Sequence, residues 1–548
     1  MPSEYGPVAG EVVELGGTGL KLRVPHRVPD GGDEFRVGFA KTGRDGIGMR
    51  AVDARSSCDL LIANVVVLDP VDGIQVASIG IREGRICGIG KAGNPDTADD
   101  IDILVGTGTV VIEGDGLIAT PGGIDTHVHT LSPRVLEAEL ASGVTTVIGQ
   151  EAGPMWGVGL GSQWVIERGL RAMDAYPVNI GLLGRGSSSR SSAIRESILG
   201  HACGLKVHED TGATISTIDT ALQVADEFDI QVALHTDSLN ETMSVSDTLA
   251  VLAGRTIHAY HVEGCGGGHA PDVLQLAGID HVLASSTNPT LPYGVNAVAE
   301  HLDMILLCHG MNPASDSDVR IARARVRGVT MAAEGRLHDL GVIGITSSDA
   351  QGMGRAGETW WRTFALASVL AGRETHAQGD DNERILRYLA KITVNPALAH
   401  GLADEVGRLA PGHLADIVLW RPESFAAKPQ LIIKGGFPAW GVTGDPNATI
   451  DSAEPLVLGP QFGGIGVVPA DLSVLFSNDA AIAEGSAPVA RRIVPVRNCR
   501  TVRNRDLIRH GVIGSVEVAA DGSRVSLDGE PIGMDPVEHV PLSRLHFW

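Results

Sequence analysis

The chain has few of the features that would make it a disulfide scaffold, a membrane protein or a nucleic-acid binder. Its six cysteines, Cys58, Cys87, Cys203, Cys265, Cys308 and Cys499, stand far apart with no C-x-x-C pair, so neither a disulfide framework nor a zinc knuckle is indicated. No segment approaches the roughly 20 apolar residues of a membrane-spanning helix. Residues 1–13 carry Glu4 and Glu11 and lack the basic start and apolar run of a signal peptide. A reducing cytoplasm is the compartment this predicts. Positive charge is also scarce: 43 Lys+Arg face 66 Asp+Glu, a formal charge of -23, which disfavours nucleic acid or an anionic membrane surface and favours a neutral or cationic small substrate. There is no repeat of solenoid length and no low-complexity tract. The glycine run 264–268 lacks the lysine and Ser/Thr of a phosphate-binding loop.

What is present is length and alternation. At 548 residues the chain exceeds one ordinary domain and predicts a barrel-sized unit with smaller companions. Residues 1–120 read as β-rich, with short β-branched runs at 60–68, 77–81 and 85–89 separated by Asp-Pro, Asp-Gly and Glu-Gly turns. Similar runs return at 415–420 and 431–434, so strands from both flanks of a central unit are expected to pair into one side domain. Residues 121–400 alternate apolar runs with helical stretches, the mark of repeated β-α units. Eight such runs, at 123–127, 145–149, 178–183, 204–208, 231–235, 256–261, 281–285 and 342–347, predict a (β/α)8 TIM barrel with its active site at the C-terminal strand ends. Residues 401–548 return to the β domain and continue as a loop-rich tail. That tail contains a hairpin over 515–527 with Asp521-Gly522 as a two-residue turn and an unstructured stretch over 481–488.

The candidate chemistry lies on that one rim. Pro121-Gly-Gly-Ile-Asp-Thr-His-Val-His-Thr130 places His127 and His129 at i and i+2, on the same face of a strand. Other strand ends supply Lys206 with His208, then His235, His261 and Asp349. Four of these imidazoles and the carboxylate already exceed the ligands one catalytic metal needs, so two metals are the simpler reading. Lys206 cannot stay cationic beside two metals; it is either a neutral amine or a carbamate formed with CO2, an anionic bridge. His258 faces away by strand alternation and His269 follows the glycine run, so neither is assigned as a ligand. The donors alone suit zinc, iron, manganese or nickel equally.

These motifs resemble the α subunit of urease, within the amidohydrolase superfamily. The resemblance runs from Asp45-Gly-Ile-Gly-Met49 through Gly122-Gly-Ile-Asp-Thr-His-Val-His129 to its most specific parts, Gly204-Leu-Lys-Val-His-Glu-Asp210, Val232-Ala-Leu-His-Thr-Asp237, Ser285-Ser-Thr-Asn-Pro289 and Ser347-Ser-Asp-Ala-Gln-Gly-Met-Gly-Arg355. It implies two Ni2+ ions bridged by carbamylated Lys206, one also held by His235 and His261, the other by His127, His129 and Asp349. It further implies that His208 binds the substrate carbonyl with Asp210 beside it and Gly352 on the substrate wall. A flap carrying Cys308 and His309 would present His309 as the acid toward the leaving amine, supported by Arg325. The plainer alternatives are a helix-end cysteine and a capping histidine. The family also implies small β and γ subunits, a trimeric assembly and nickel metallochaperones.

The departures from that family cluster at the pocket. Thr130-Leu-Ser-Pro133 stands where an aromatic and a cysteine are usual, Thr211 where tryptophan is usual, Gly310 where a second histidine is usual, and Gly352 where alanine is usual. The loop 150–161 is shorter than the family's Gly/Thr-rich version. Extra volume beside the metals is the expectation, unless Met155, Trp156 or Trp164 fills it. Urea hydrolysis is the first reading. The alternatives are a related dinuclear enzyme acting on another amide, ureide or amidine, and a catalytically silent α-like subunit with an assembly role.

Overall fold

A computed structural model describes residues 6–28, 32–153, 158–236, 245–264, 272–373, 379–443, 452–455, 468–485, 487 and 489–543. The apolar runs form eight parallel strands: β1 (Gly123–Val128), β2 (Val144–Gly149), β3 (Asn179–Arg185), β4 (Gly204–Val207), β5 (Gln231–His235), β6 (Ile257–Tyr260), β7 (Val282–Thr287) and β8 (Ile345–Ser347). Each is buried almost throughout, and strands covered on both faces have no reason to alternate apolar with polar residues. They neighbour one another in chain order, β1 to β8. The ring closes at its C-terminal end, where the Asp349 N–H donates to the His127 carbonyl and the His129 N–H to the Ala350 carbonyl, each at 2.9 Å. The result is the α/β barrel the alternation predicted, and its closure sets the loop after β8 against the end of β1.

The helices between strands are amphipathic for readable reasons. Ile215–Phe228 starts at Thr214, whose side chain accepts from the Thr217 N–H, and buries Ile218, Ala221, Leu222 and Ala225 on one stripe. Gln163–Met173 is capped by Ser162 and buries Ile166, Gly169, Leu170 and Met173. That stripe leaves Trp164 on the outer face, 65% exposed. No described helix is long and apolar enough to cross a membrane.

A second, nine-stranded sheet takes strands from both flanks of the barrel. Leu60–Asp69, Gly73–Arg82, Arg85–Gly90, Val110–Glu113 and Ile118–Pro121 precede β1, and Ile417–Trp420, Pro429–Lys434, Phe437–Thr443 and Ser452–Pro455 follow the barrel. The two sets join where Ile417–Trp420 runs antiparallel to Ile118–Pro121. Trp420 ties that seam to the barrel: its indole N–H donates to Thr120 Oγ1 at 2.9 Å, and its ring lies 4.9 Å from that of Trp360. Because Ile118–Pro121 leads directly into β1, the side sheet fixes the approach of the strand that carries His127.

The tail differs from its sequence reading in three places. Val474–Ser477 pairs in parallel with β3 through Ile180 and Gly181, and Arg492–Pro495 adds outside it, so the tail extends the barrel sheet. β3 has room there because β4 pairs only with its later part, from Leu183 onward. Of the stretch 481–488, read as unstructured, residues 481–484 belong to the helix Asp479–Glu484, capped by the Asn478 side chain. The hairpin Val516–Val518 with Val525–Leu527 is present and gains a third strand, Glu530–Ile532. Its turn is wider than two residues: the Gly522 N–H donates to the Ala519 carbonyl, the Ala519 N–H to the Arg524 carbonyl, and Gly522 takes φ +67°. Asp521 spends its carboxylate on the Ser523 N–H instead of sitting in a tight primed turn.

Candidate metal centre

β1 delivers two ligand candidates because its register is locked from behind. The buried Asp125 carboxylate accepts from the His127 N–H and the Ser348 N–H, each at 3.1 Å, pinning the end of β1 to the segment after β8. His127 Nε2 and His129 Nε2 then both lie 3.2 Å from Asp349 Oδ1. The donor atoms of these three residues fall within 4.8 Å of one another, the arrangement needed around one small cation. On the other side, His235 ends β5 and His261 follows β6, their rings 4.5 Å apart, with His261 5.5 Å from His127. Asp349 and His261 hold φ of +57° and +35°. Left-handed backbone costs a non-glycine residue on the order of 1 kcal/mol or more, a strain that recurs where function fixes the side chain.

Lys206, fully buried on β4, stands among these rings, with its Nζ 4.0 Å from the Tyr260 ring centroid. His127 stacks on the same tyrosine at 3.8 Å, and the Tyr260 hydroxyl donates to the Thr126 carbonyl. Burial first, and Lys206 second, hold His127 and His208 well below the usual histidine range; for His235, burial is followed by His208 and His261. A neutral imidazole keeps its lone pair, which is the form that binds metal. His129 behaves differently. Burial opposes its charge, but contacts with Asp349 and Glu151 outweigh burial and push it up to about 9.

The sequence reading gave Glu151 no role. Its carboxylate oxygens both lie 3.2 Å from His129 Nδ1, on the side of the ring opposite Asp349, and the residue is fully buried. The signal available was an acid just past β2, facing the rim from a loop otherwise rich in glycine.

A cavity of about 40 Å³ opens over the cluster, lined by His127, His129, His208, Asp210, His235, Cys308, His309, Asp349, Gly352 and Met353. One water needs roughly 10–15 Å³ of such space, so the cavity has room for only about three water-sized groups. His208 Nδ1 accepts from the Asp210 N–H at 3.1 Å; the neutral ring therefore carries its proton on Nε2 and is a donor there. Cys308 ends the helix Ala297–Cys308 and His309 is its C-cap. The Cys308 thiol turns inward from an otherwise exposed residue and donates to the Gly352 carbonyl at 3.1 Å. Arg325, the last residue of the helix Asp316–Arg325, is half-buried and is not among the lining residues.

Residues 118–439 match the Amidohydrolase family, and residues 2–112 match the N-terminal domain of the urease alpha-subunit. Over 546 residues the chain is 58% identical to urease subunit alpha 1 of Streptomyces avermitilis, covering 99% of this chain and 98% of that one. Urease subunit alpha 2 of Streptomyces coelicolor is 57% identical at the same coverage. The chain belongs to the urease α-subunit family. Among solved structures, the L-hydantoinase (dihydropyrimidinase) of Arthrobacter aurescens shares the fold, with a TM-score of 0.50 and 14% identity over 70% of this chain and 96% of that one.

Set beside the urease α pattern, several departures have local causes. Gly310 holds φ +60°, which a histidine would take only under strain. A Cβ on Gly352 would come within 2.5 Å of Asp349 Oδ1 and 2.8 Å of His129 Cδ2, so alanine there would force one of those side chains to move. Thr130 is small where an aromatic is usual, and its hydroxyl donates to the Glu151 carbonyl. The cavity over the cluster is small, about 40 Å³, while a separate cavity of about 300 Å³ is lined by Thr130, Ala152, Gly153 and Trp164. Trp164 does not fill the space over the cluster, being outside with Arg168 over its ring at 5.3 Å; Glu151 occupies the flank of His129. Met155, Trp156, Cys265 and His269 lie outside the described residues.

Proposed function

We propose that this chain is the catalytic α subunit of an enzyme that hydrolyses urea to ammonia and carbamate, with two Ni2+ ions bridged by a carbamate on Lys206. The single observation that carries the reading is the union of a metal-ready cluster with a cavity of only about 40 Å³ above it. His127, His129 and Asp349 would hold one ion and His235 and His261 the other, and nickel rests on the family resemblance. When bound, the ions supply Lewis acidity toward the carbonyl and bring the pKa of water toward neutrality. Carbamylation removes the charge that Lys206 would otherwise set against two cations.

The chain's own groups supply the rest. His208, locked by the Asp210 N–H, presents its Nε2 proton to the substrate oxygen. His309, at a half-buried helix end on the cavity wall, protonates the departing nitrogen, and the flap that carries it excludes bulk water. Arg325 supports the flap from one helix away. The urease relatives are themselves named as subunits, so the working enzyme is a multi-subunit complex. We assign it small β and γ partners, a trimeric assembly, metallochaperone-delivered nickel and a cytoplasmic location.

The test is ammonia release by the nickel-loaded, bicarbonate-treated protein, with and without candidate β and γ subunits, across urea, methylurea, acetamide and guanidine. Turnover of urea above the others is expected. Turnover of another member without urea would replace the substrate, and metal binding without any turnover would favour the silent subunit.

A further inference from the structure

β2 ends at Gly149, and the next residues fold back against β1. The Gln150 N–H donates to the Val128 carbonyl at 3.0 Å, the Gly153 N–H to the Thr130 carbonyl at 2.9 Å, and the Gly159 N–H to the Gln150 carbonyl at 3.0 Å. The Thr130 hydroxyl reaches the Glu151 carbonyl. Every one of these bonds grips the loop or the residues flanking His129, and together they deliver a single carboxylate, Glu151, to the far side of that ring. Its Oε1 accepts from the Val158 N–H at 3.0 Å and lies 3.2 Å from His129 Nδ1.

An imidazole has two nitrogens and, when neutral, one proton. When a cation displaces the Nε2 proton, the carboxylate on Nδ1 holds the remaining proton there, and the Nε2 lone pair faces the metal pocket. The same contact fixes the ring about its Cβ–Cγ bond, and a buried anion makes the ligand a stronger donor. Among the described residues no such carboxylate addresses the second nitrogen of His127, whose ring is braced by stacking on Tyr260. The centre is thus asymmetric, with one of its paired β1 histidines held by charge and the other by a ring face.

We propose that Glu151 is a positioning residue for the metal centre: it sets the tautomer and orientation of His129 and so tightens metal binding at the half formed with His127 and Asp349. The inference rests on the metal-centre reading above.

The experiment uses the full chain, in its complex where the partners co-purify, as Glu151→Gln, Glu151→Ala and Glu151→Asp. Three quantities are read: bound nickel by elemental analysis, the nickel dissociation constant by chelator competition, and the Tm of the metal-free protein. The expected result is a metal affinity about 10- to 100-fold weaker in the alanine variant, a smaller loss in Glu151→Gln, and partial recovery in Glu151→Asp. The metal-free Tm of Glu151→Gln should fall modestly, because Asp349 still faces the other nitrogen of His129, and the loss of metal affinity should exceed what that fall explains. If Glu151→Ala does not fold, the glutamine and aspartate variants carry the comparison. Unchanged affinity in every folded variant, with loss confined to metal-free Tm, would overturn the proposal and make Glu151 a strut. Absence of nickel binding by the unaltered protein would instead overturn the metal-centre reading, and this inference with it.

Discussion

Lys206 and Lys391 are both fully buried lysines with histidine neighbours, in one barrel. Lys391 ends the helix Asn382–Lys391 and gives its protons to fixed acceptors: the Ile343 carbonyl at 2.7 Å, the His338 carbonyl at 3.1 Å and His510 Nε2 at 2.5 Å. His510 in turn has its Nδ1 2.8 Å from the Ile508 carbonyl. Lys434, also buried, is settled the same way by Asp416 and the Leu472 carbonyl, each at 2.8 Å. Lys206 is placed among rings, over Tyr260 and beside imidazoles whose protonation it opposes. Burial of a lysine therefore says little by itself. Carbonyls around the ammonium make a structural tie; convergent imidazole lone pairs make a site that gains from removing the charge.

The largest expected effect breaks that contrast directly. Lys206→Ala should lose most bound metal and, with it, activity by roughly 10^3-fold or more, since metal contributions to such barriers amount to several kcal/mol. Its metal-free Tm should hardly fall, and small carboxylic acids should restore part of the metal. Lys391→Met should do the reverse: it strands two buried carbonyls, costs about 2–5 kcal/mol of stability, and leaves metal content per folded molecule intact. Elemental analysis beside thermal unfolding decides. Full metal in Lys206→Ala without added acid would put the two lysines in one class.

Next in size is His309. Its removal should lower kcat by roughly 10^2 to 10^4-fold with metal content unchanged, because general acid catalysis contributes in that range. An unaltered kcat in His309→Ala would make it a helix cap.

A third effect is read through pH. His127, His208 and His235 are held well below the ordinary value of 6.5. The unfolded chain then takes up protons that these folded rings refuse, so their penalty is absent above about pH 6.5 and grows as pH falls below it. His129, pushed up to about 9, acts oppositely: its stabilising contribution is complete below 6.5 and is lost as pH rises through about 9. The metal-free protein should therefore lose stability on the acid side, by up to about 1.4 kcal/mol per pH unit for each such ring, seen as a falling Tm. His235→Gln should flatten the acid slope. So should His510→Gln, whose ring burial also holds low, but only the first should also weaken metal binding. Equal metal binding in the two variants would erase the distinction between rim and tie.

The barrel was legible because its strands are buried on both faces and end in metal-competent residues, so one linear pattern carried both fold and site. His127, His129, Lys206, His235, His261 and Asp349 all meet where the strand ends meet. Glu151 was not legible, since a single acid in a loop has no periodicity and acts only through the ring it faces. Val474–Ser477 was missed because a run of three apolar residues cannot show which edge it will find; the gap beside β3 exists only in three dimensions. Trp164 was offered as a filler of the pocket, yet the stripe of its own helix sends it outward, a reading the 3.6-residue period already contained.

The smallest expected effect concerns Cys308, which lies on the rim but belongs, on this geometry, with the structural ties. Its thiol is pushed up to about 11 by burial and by the Asp349 carboxylate. At pH 7 to 8 it is a neutral donor, fixed on the Gly352 carbonyl, and a thiol rather than a thiolate is a poor nucleophile. Cys308→Ala removes one weak hydrogen bond, worth roughly 0.5–1.5 kcal/mol, from a loop that also orders Gly352 beside Asp349. The change in kcat/KM should stay within about tenfold, metal content should hold, and Cys308→Ser should recover most of the loss. Alkylation should be slow at neutral pH and inhibit far more than the alanine substitution does, because an added group would fill a cavity of only about 40 Å³. A loss in Cys308→Ala as large as that of His309→Ala would move the cysteine into the chemistry and require a proton path through its sulfur.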